Sequence, residues 1–218
     1  DSNYELEDKL LKSGKNDFIS LINPEKFKNV RFSYVRQKSH RGLGDAIAHA
    51  SHLINDDAFA VLLADDLIFS EVSCLQQLID IHNITNSSVI GINEVLKADV
   101  SKYGVISPSN EDDHIKIKDI IEKPDISIAP SNLAVVGRYV LDSDIFEYLK
   151  RVEEDTSSEI QLTDAIKLML KDKNVLGCKY EGVKFDCGSK KGFVAATLYK
   201  GLEDEAIKQE IEKFIGNP

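Results

Sequence analysis

The run Ala58-Phe-Ala-Val-Leu-Leu-Ala64 contains no polar residue and closes on two carboxylates, Asp65 and Asp66. An apolar run of this length, stopped by charge, reads as a strand over Phe59–Leu63 buried on both faces, as at the centre of a parallel sheet. The flanking segments extend the pattern. Val30–Arg36 alternates as a strand, Gly44–Leu53 has helical spacing, Val72–His82 places Leu75, Leu78, Ile79 and His82 on one helix face, and Ser88–Ile92 is a short apolar strand. Strand and helix in alternation imply an α/β fold with a parallel sheet and crossover helices. In such sheets ligands bind at the carboxyl ends of the strands. That places the loop Gln37–Asp45 and the pair Asp65–Asp66 at one edge.

After residue 92 the pattern changes. Tyr103–Ser107, Ile115–Glu122 and Ser131–Leu141 read as strands with no long helix between them, and Ser107–Asp113 is rich in turn residues. This predicts an antiparallel or mixed layer, a small β-rich insertion on the sheet. Asp144–Arg151 reads as a helix. Thr156-Ser-Ser-Glu159 is a capping-box pattern opening a helix over Ile160–Leu170. Val175–Tyr180 is a last strand, and Lys190–Glu212 reads as two helices broken near Gly201. At the other end, Tyr4–Leu11 reads as an amphipathic helix stopped by Gly14 and lacking a cap sequence, and 16–28 has no clear period. Tyr34, Phe59, Tyr139 and Phe146 are expected in the core. With no repeat and no linker, residues 1–218 are expected to form a single domain.

Charge narrows the function classes. A formal net charge of −10 argues against sequence-independent binding to nucleic acid. It does not exclude phosphates held by a few cations in one cleft. The longest apolar run is far too short to span a bilayer, so no membrane partner is expected, and no cationic, apolar leader precedes a cleavage site. The chain starts at Asp1, not at a methionine. Cys74, Cys178 and Cys187 are widely spaced with no C-x-x-C pattern. Reduced thiols in a cytoplasmic protein are the simple expectation.

Four short stretches could carry chemistry. In the first, Gly42 and Gly44 let backbone approach a ligand or adopt positive φ, Gln37 offers a donor and an acceptor side by side for a base edge, and Arg41 could meet a phosphate. A plain strand-to-helix turn is the alternative. In the second, a carboxylate such as Asp65 at the end of a buried strand suits Mg2+, which prefers one or two carboxylates plus substrate phosphates; the alternative is a solvated turn. In the third, Glu122 could accept two sugar hydroxyls and Lys123 could neutralise a phosphate, with Pro124 ending the strand. In the fourth, Asp186 precedes a glycine turn into a helix, as a second metal ligand or as that helix's cap.

Taken together, Val35-Arg-Gln37 with Gly42-Leu-Gly-Asp-Ala46, Leu63-Ala-Asp-Asp66, Tyr103-Gly-Val105, Glu122-Lys-Pro124, Ala129-Pro-Ser-Asn-Leu-Ala-Val-Val-Gly-Arg-Tyr-Val140, Glu159-Ile-Gln-Leu-Thr-Asp-Ala165 and Asp186-Cys-Gly188 follow one order. In this order the chain, from Tyr4 onward, resembles the bacterial UTP–glucose-1-phosphate uridylyltransferases. The Ala-Pro-Ser-Asn-Leu-Ala and Glu-Ile-Gln-Leu-Thr-Asp blocks are the specific ones. Glu-Lys-Pro and Asp-x-Gly are shared with sugar nucleotidyltransferases at large. The resemblance implies a Rossmann-like nucleotidyltransferase fold of GT-A-like type, with a mixed sheet flanked by helices. It implies formation of UDP-glucose and pyrophosphate from UTP and glucose 1-phosphate, by Mg2+-assisted in-line attack of the sugar phosphate on the α-phosphorus.

By matching positions, the resemblance gives Gln37 and Gly42 to uracil. Asp65 falls to Mg2+ and catalysis, with Asp186 as a second metal ligand. Gly104 and Glu122 meet the glucose hydroxyls, with Val135 to Arg138, including Val136 and Gly137, lining the sugar pocket through backbone. Lys123 takes the sugar phosphate and catalysis, and Lys190 a phosphate. One departure stands out. Family members open with a strand and a loop carrying Gly-x-Gly-Thr-Arg that cradles the triphosphate, and this sequence has no counterpart. About two βα units, on the order of 60 residues, are expected to be lacking, together with backbone N–H groups for phosphate. The 218 residues alone are therefore expected to be inactive or nearly so, and an uncovered sheet edge to favour a homo-oligomer. The other readings are a dTTP- or CTP-dependent enzyme and a non-catalytic sugar-nucleotide-binding or oligomerisation module.

Overall fold

The computed structural model describes residues 3–22, 25–109, 114–155 and 159–216. The chain divides into two compact units, one ending at Arg36 and the other beginning at Gln37.

The first unit holds α1 (Tyr4–Lys12) and α2 (Asn16–Ile22). The sequence is read above as lacking a cap, but Asn3 is one: its side chain accepts the Leu6 N–H at 3.1 Å. Gly14 ends α1 at a φ of +70°. The Lys15 N–H reaches the Leu10 carbonyl and the Gly14 N–H that of Leu11, the paired bonds of a Schellman turn. The expected strand Val30–Arg36 is not formed, and Tyr34, expected in the core, is 83% exposed. Alternation says which side chains would share a face, but only a hydrogen-bonding neighbour makes a strand. Among the described residues this unit offers none.

The second unit contains α3 (Leu43–His49), β1 (Ala58–Leu62), β2 (Asp66–Phe69), α4 (Cys74–Thr85), β3 (Ser88–Glu94), β4 (Gly104–Pro108), β5 (Ile115–Glu122) and β6 (Leu133–Asp142). These are followed by α5 (Ile145–Asp155), α6 (Leu162–Met169), β7 (Val175–Lys179), β8 (Val183–Asp186), α7 (Lys190–Gly201) and α8 (Glu205–Gly216). Six strands form one mixed sheet in the order β1-β6-β3-β7-β5-β4. Only β3 and β7 run parallel among the described strands. The expected parallel centre over Phe59–Leu63 is thus corrected: β1 lies at the sheet's edge, antiparallel to β6. A continuous apolar run reports burial on a strand and carries no information about its neighbours. Here Phe59 owes its partial burial to stacking on Phe146, with centroids 5.1 Å apart. The strands read as a separate insertion, β4, β5 and β6, are members of the main sheet. A second, two-stranded sheet pairs β2 with β8, which the sequence did not suggest.

Alternation along β3 and β6 sorts the core onto two faces. Ile90, Ile92, Tyr139 and Leu141 pack with α5 and α6 through Ile145, Leu149, Ile166 and Met169. Val89, Val136 and Val140 pack on the other face with Cys74 and Leu78 of α4. The two helices expected near the C-terminus are α7 and α8. Helix α6 starts two residues later than expected, and residues 156–158 of the proposed capping box lie outside the described residues, as do 110–113 of the expected turn.

The three cysteines are free thiols. Burial, with the neighbouring Cys178, pushes the Cys74 thiol up to about 12, and burial pushes Cys178 up to about 11. An acid so raised stays protonated at pH 8, and only the thiolate alkylates. Iodoacetamide at pH 8 is expected to modify Cys187 alone in the folded protein. Mass spectrometry of the peptides checks this, with Cys74 and Cys178 reacting only after denaturation.

Candidate active site

The site is built where β2 and β4 begin and β5 and β8 end, against the middle of β6. A cleft of about 320 Å3 is lined by Asp65, Asp66, Gly104, Glu122, Lys123, Val135, Gly137, Thr163 and Asp186, with Leu43, Lys102, Tyr103 and Tyr139 among its other walls. Residues separated by more than 120 positions in sequence therefore converge on one space.

Asp65 and Asp66 divide the work: Asp65 lies in the turn before β2 and Asp66 is that strand's first residue, so their side chains take different directions. Asp66 points into the structure. Its Oδ2 accepts the Gly137 N–H at 2.7 Å, and its Oδ1 lies 3.0 Å from the Lys184 Nζ. Both side chains of that ion pair are nearly buried, 13% and 12% exposed. Arg138 completes the framework by donating to the carbonyls of Leu63, Gly137 and Asp66. Asp65 points to the cleft. The register that sets Asp66 opposite Asp186 also brings Asp186 beside it. A Cβ placed on Gly188 would lie 3.1 Å from Asp186 Oδ1 and 3.3 Å from Asp65 Oδ2, so the two carboxylates share one small volume. Among the described residues no three His, Cys, Asp or Glu side chains cluster as a metal cage. Two carboxylates facing an open cleft are the donor set Mg2+ uses when substrate phosphates complete its shell, so these residues fit the ion.

Glu122 ends β5. Its Oε2 accepts from Thr163 Oγ1 at 3.0 Å, and its Oε1 is 3.7 Å from Lys123 Nζ. Consecutive side chains on an extended strand would diverge, yet both line the cleft. The reason is backbone: Lys123 sits at a φ of +43° with its N–H bonded to the Tyr103 carbonyl. A residue before proline is ordinarily extended, and a non-glycine residue in the left-handed region costs about 1–3 kcal/mol. That strain delivers the ammonium to the same space as Glu122. Gly104 stands opposite Glu122 in the β4–β5 register. A Cβ there would meet Glu122 Oε2 at 3.2 Å and Thr163 Cγ2 at 2.9 Å. Tyr139 is buried in the cleft wall, and burial with the nearby carboxylates of Glu122 and Asp66 raises its phenol well above the ordinary tyrosine value, keeping it a neutral hydroxyl.

Four sequence candidates, Gln37, Gly42, Val136 and Lys190, fall outside this lining. Gln37 and Gly42 lie in the loop before α3, whose Leu43 reaches the cleft. Gly42, at a φ of +95°, leaves no room for a side chain: a Cβ would lie 2.7 Å from the Ile160 carbonyl oxygen. Val136 turns its side chain to the opposite face of β6. Gly137 lines the cleft, but its N–H and C=O already serve Asp66 and Leu63. Lys190 opens α7 and is exposed, away from the lining. Thr163 and Lys184 carry no signal as supports in the sequence, and Arg138, expected only as backbone lining, acts through its side chain. Thr163 lies within the Glu159–Ala165 block, but nothing in the sequence pairs it with Glu122, 41 residues earlier.

Comparison with known proteins identifies the family. Residues 8–200 match the nucleotidyl transferase family. The chain is 42% identical over 217 residues to a UTP–glucose-1-phosphate uridylyltransferase of Staphylococcus epidermidis, covering 99% of this chain and 75% of that protein. It is 41% identical to the enzyme of the same name from Staphylococcus haemolyticus, with the same coverage. Among solved structures, the UTP-bound UGPase of Acinetobacter baumannii superposes with a TM-score of 0.87 at 35% identity, covering 100% of this chain and 76% of that one. A UDP-glucose pyrophosphorylase complexed with UDP-glucose gives 0.73 at 43% identity, covering 78% and 65%. A mixed sheet with one cleft of convergent carboxylates, and relatives alike over nearly the whole chain, lead to one assignment: the chain belongs to the UTP–glucose-1-phosphate uridylyltransferase family of nucleotidyl transferases.

Proposed function

We propose that this cleft forms UDP-glucose and pyrophosphate from UTP and glucose 1-phosphate. The observation that carries the proposal is the meeting of Asp65, Gly104, Glu122, Lys123 and Asp186 around one space. An oxygen of the sugar phosphate attacks the α-phosphorus of UTP, a new P–O bond forms, and the bond to the leaving pyrophosphate breaks. No protein nucleophile is needed, so the chain's contribution is placement and charge. Glu122, held by Thr163, accepts glucose hydroxyls beside the open face of Gly104. Lys123 offsets the sugar phosphate's charge next to Glu122. The backbone of Val136 and the bare face of Gly137 bound the sugar, and Lys190 meets a phosphate beyond the cleft. Gln37 and Gly42 face the uracil. Asp65 and Asp186 hold Mg2+, which when bound supplies charge neutralisation at the phosphates.

The free thiols support a reducing, cytoplasmic setting. The side of β1 that pairs with no strand among the described residues, with Leu62 half-exposed, supports self-association.

The test is a thermal melt with UDP-glucose and Mg2+. At a ligand concentration one hundredfold above Kd, linkage stabilises by about 2.7 kcal/mol, which for a chain of this size raises Tm by roughly 5–10 °C. ADP-glucose at the same concentration is expected to leave Tm unchanged. No rise with millimolar UDP-glucose, or an equal rise with both, overturns the proposal.

A further inference from the structure

We propose that Asp45 is a positioning residue that sets which way the Gln37 amide points and so makes the site select a pyrimidine carrying a proton on N3. The inference rests on the reading of Gln37 as the residue that faces the base. Gln37 Nε2 donates to the Gly42 carbonyl at 3.2 Å and to Asp45 Oδ2 at 2.5 Å. A backbone carbonyl and an ionised carboxylate are acceptors only. Both amide hydrogens are therefore consumed by groups that cannot donate, and the flipped amide would set oxygen against oxygen on both sides. Asp45 is itself fixed. Its side chain is 6% exposed, its Oδ1 lies 3.6 Å from His49 Nδ1, and that ring nitrogen is 2.8 Å from the Asp45 carbonyl, to which it must donate.

The consequence for a ligand is one of sign. Gln37 can offer only its amide oxygen. Uracil and thymine carry N3–H and can donate to it. Cytosine has a bare N3, which would meet a second acceptor and leave both groups unpaired, the arrangement that rejects analogues most strongly. Glutamine alone cannot make this distinction, because an unconstrained amide turns over to suit either base. Asp45 makes the shorter of the two contacts that hold the amide and the Gly42 carbonyl the longer, so most of the discrimination resides in a side chain that need not touch the nucleotide.

The experiment measures binding of UDP and of CDP, each with Mg2+, by calorimetry. The ratio of their affinities is the readout, because it cancels any loss of folded protein. The wild-type chain is expected to favour UDP by more than tenfold. Asp45→Ala is expected to cut that preference by about tenfold or more, and Asp45→Asn, whose amide oxygen can still accept from Gln37, to retain most of it. Gln37→Ala is expected to abolish the preference. A preference lost in Gln37→Ala but intact in Asp45→Ala overturns this inference alone. A Gln37→Ala protein that binds and discriminates like wild type overturns the base-site reading beneath it. Should Asp45→Ala not fold, the wild-type protein decides through its side-chain amide protons. Those of Gln37, assigned by their loss in Gln37→Ala, are expected to be slowed in solvent exchange. Exchange as fast as that of an exposed glutamine overturns the proposal.

Discussion

Asp65→Ala is expected to weaken Mg2+-dependent binding of UDP-glucose by about a hundredfold while leaving the melting temperature of the ligand-free protein within a degree or two of wild type. The size follows from what the side chain does. It faces the cleft beside Asp186, and a site with two carboxylates for Mg2+ loses half its protein ligands when one is removed. Even an outer partner of a metal ligand is worth 10–100-fold on the order-of-magnitude scale for such sites. The small effect on folding follows as well, since relieving two neighbouring carboxylates of their mutual repulsion offsets whatever contacts are lost. Calorimetry in the presence of Mg2+ and of EDTA checks the claim. The chelator should abolish the difference between variant and wild type. A variant that binds UDP-glucose with unaltered Mg2+ dependence would remove Asp65 from the metal site.

Asp66→Ala should behave in the opposite way. The substitution leaves Lys184 buried without its carboxylate and the Gly137 N–H without its acceptor. Breaking one side of a buried ion pair costs about 3–5 kcal/mol, because the stranded charge remains. For a chain of this size that lowers Tm by roughly 6–20 °C. Chemical denaturation gives the free energy directly. The double variant Asp66→Ala, Lys184→Met should recover much of the loss, because no unpaired charge stays behind. If Asp66→Ala melts like wild type, the pairing of Asp66 with Lys184 does not hold in solution.

These neighbours show how far the sequence could be read. Composition and spacing identified a carboxylate pair at a strand end and singled out Asp65 as suited to a metal. Which of the two faces the cleft depends on β8, whose four residues Val183–Asp186 gave no strand signal of their own and become a strand only by pairing with β2. The pocket residues Glu122 and Lys123 were legible as chemistry, but not how both reach one cleft, because a left-handed backbone at a lysine leaves no mark in residue type. The helices were clearer, since their 3.6-residue period is local, and α4, α5, α7 and α8 fall where the spacing puts them. Strand neighbours were not. The antiparallel edge position of β1 is a property of β6, some 70 residues away in sequence. Val136 illustrates the same limit: the block that carries it was recognisable, but period-two geometry turns its side chain to the far side of the sheet.

The separate two-stranded ribbon has a mechanical meaning. Asp186 is held beside Asp65 by four rungs, Asp66 to Asp186 through Phe69 to Val183, whereas Gly104 and Glu122 are set by the register of the six-stranded sheet. The two pieces are pinned together where Asp66 accepts the Gly137 N–H and Arg138 donates to the Leu63 and Asp66 carbonyls, so a shift of β6 carries the ribbon, and both carboxylates, with it. The cleft's two halves thus take their spacing from different registers and their alignment from one shared set of hydrogen bonds.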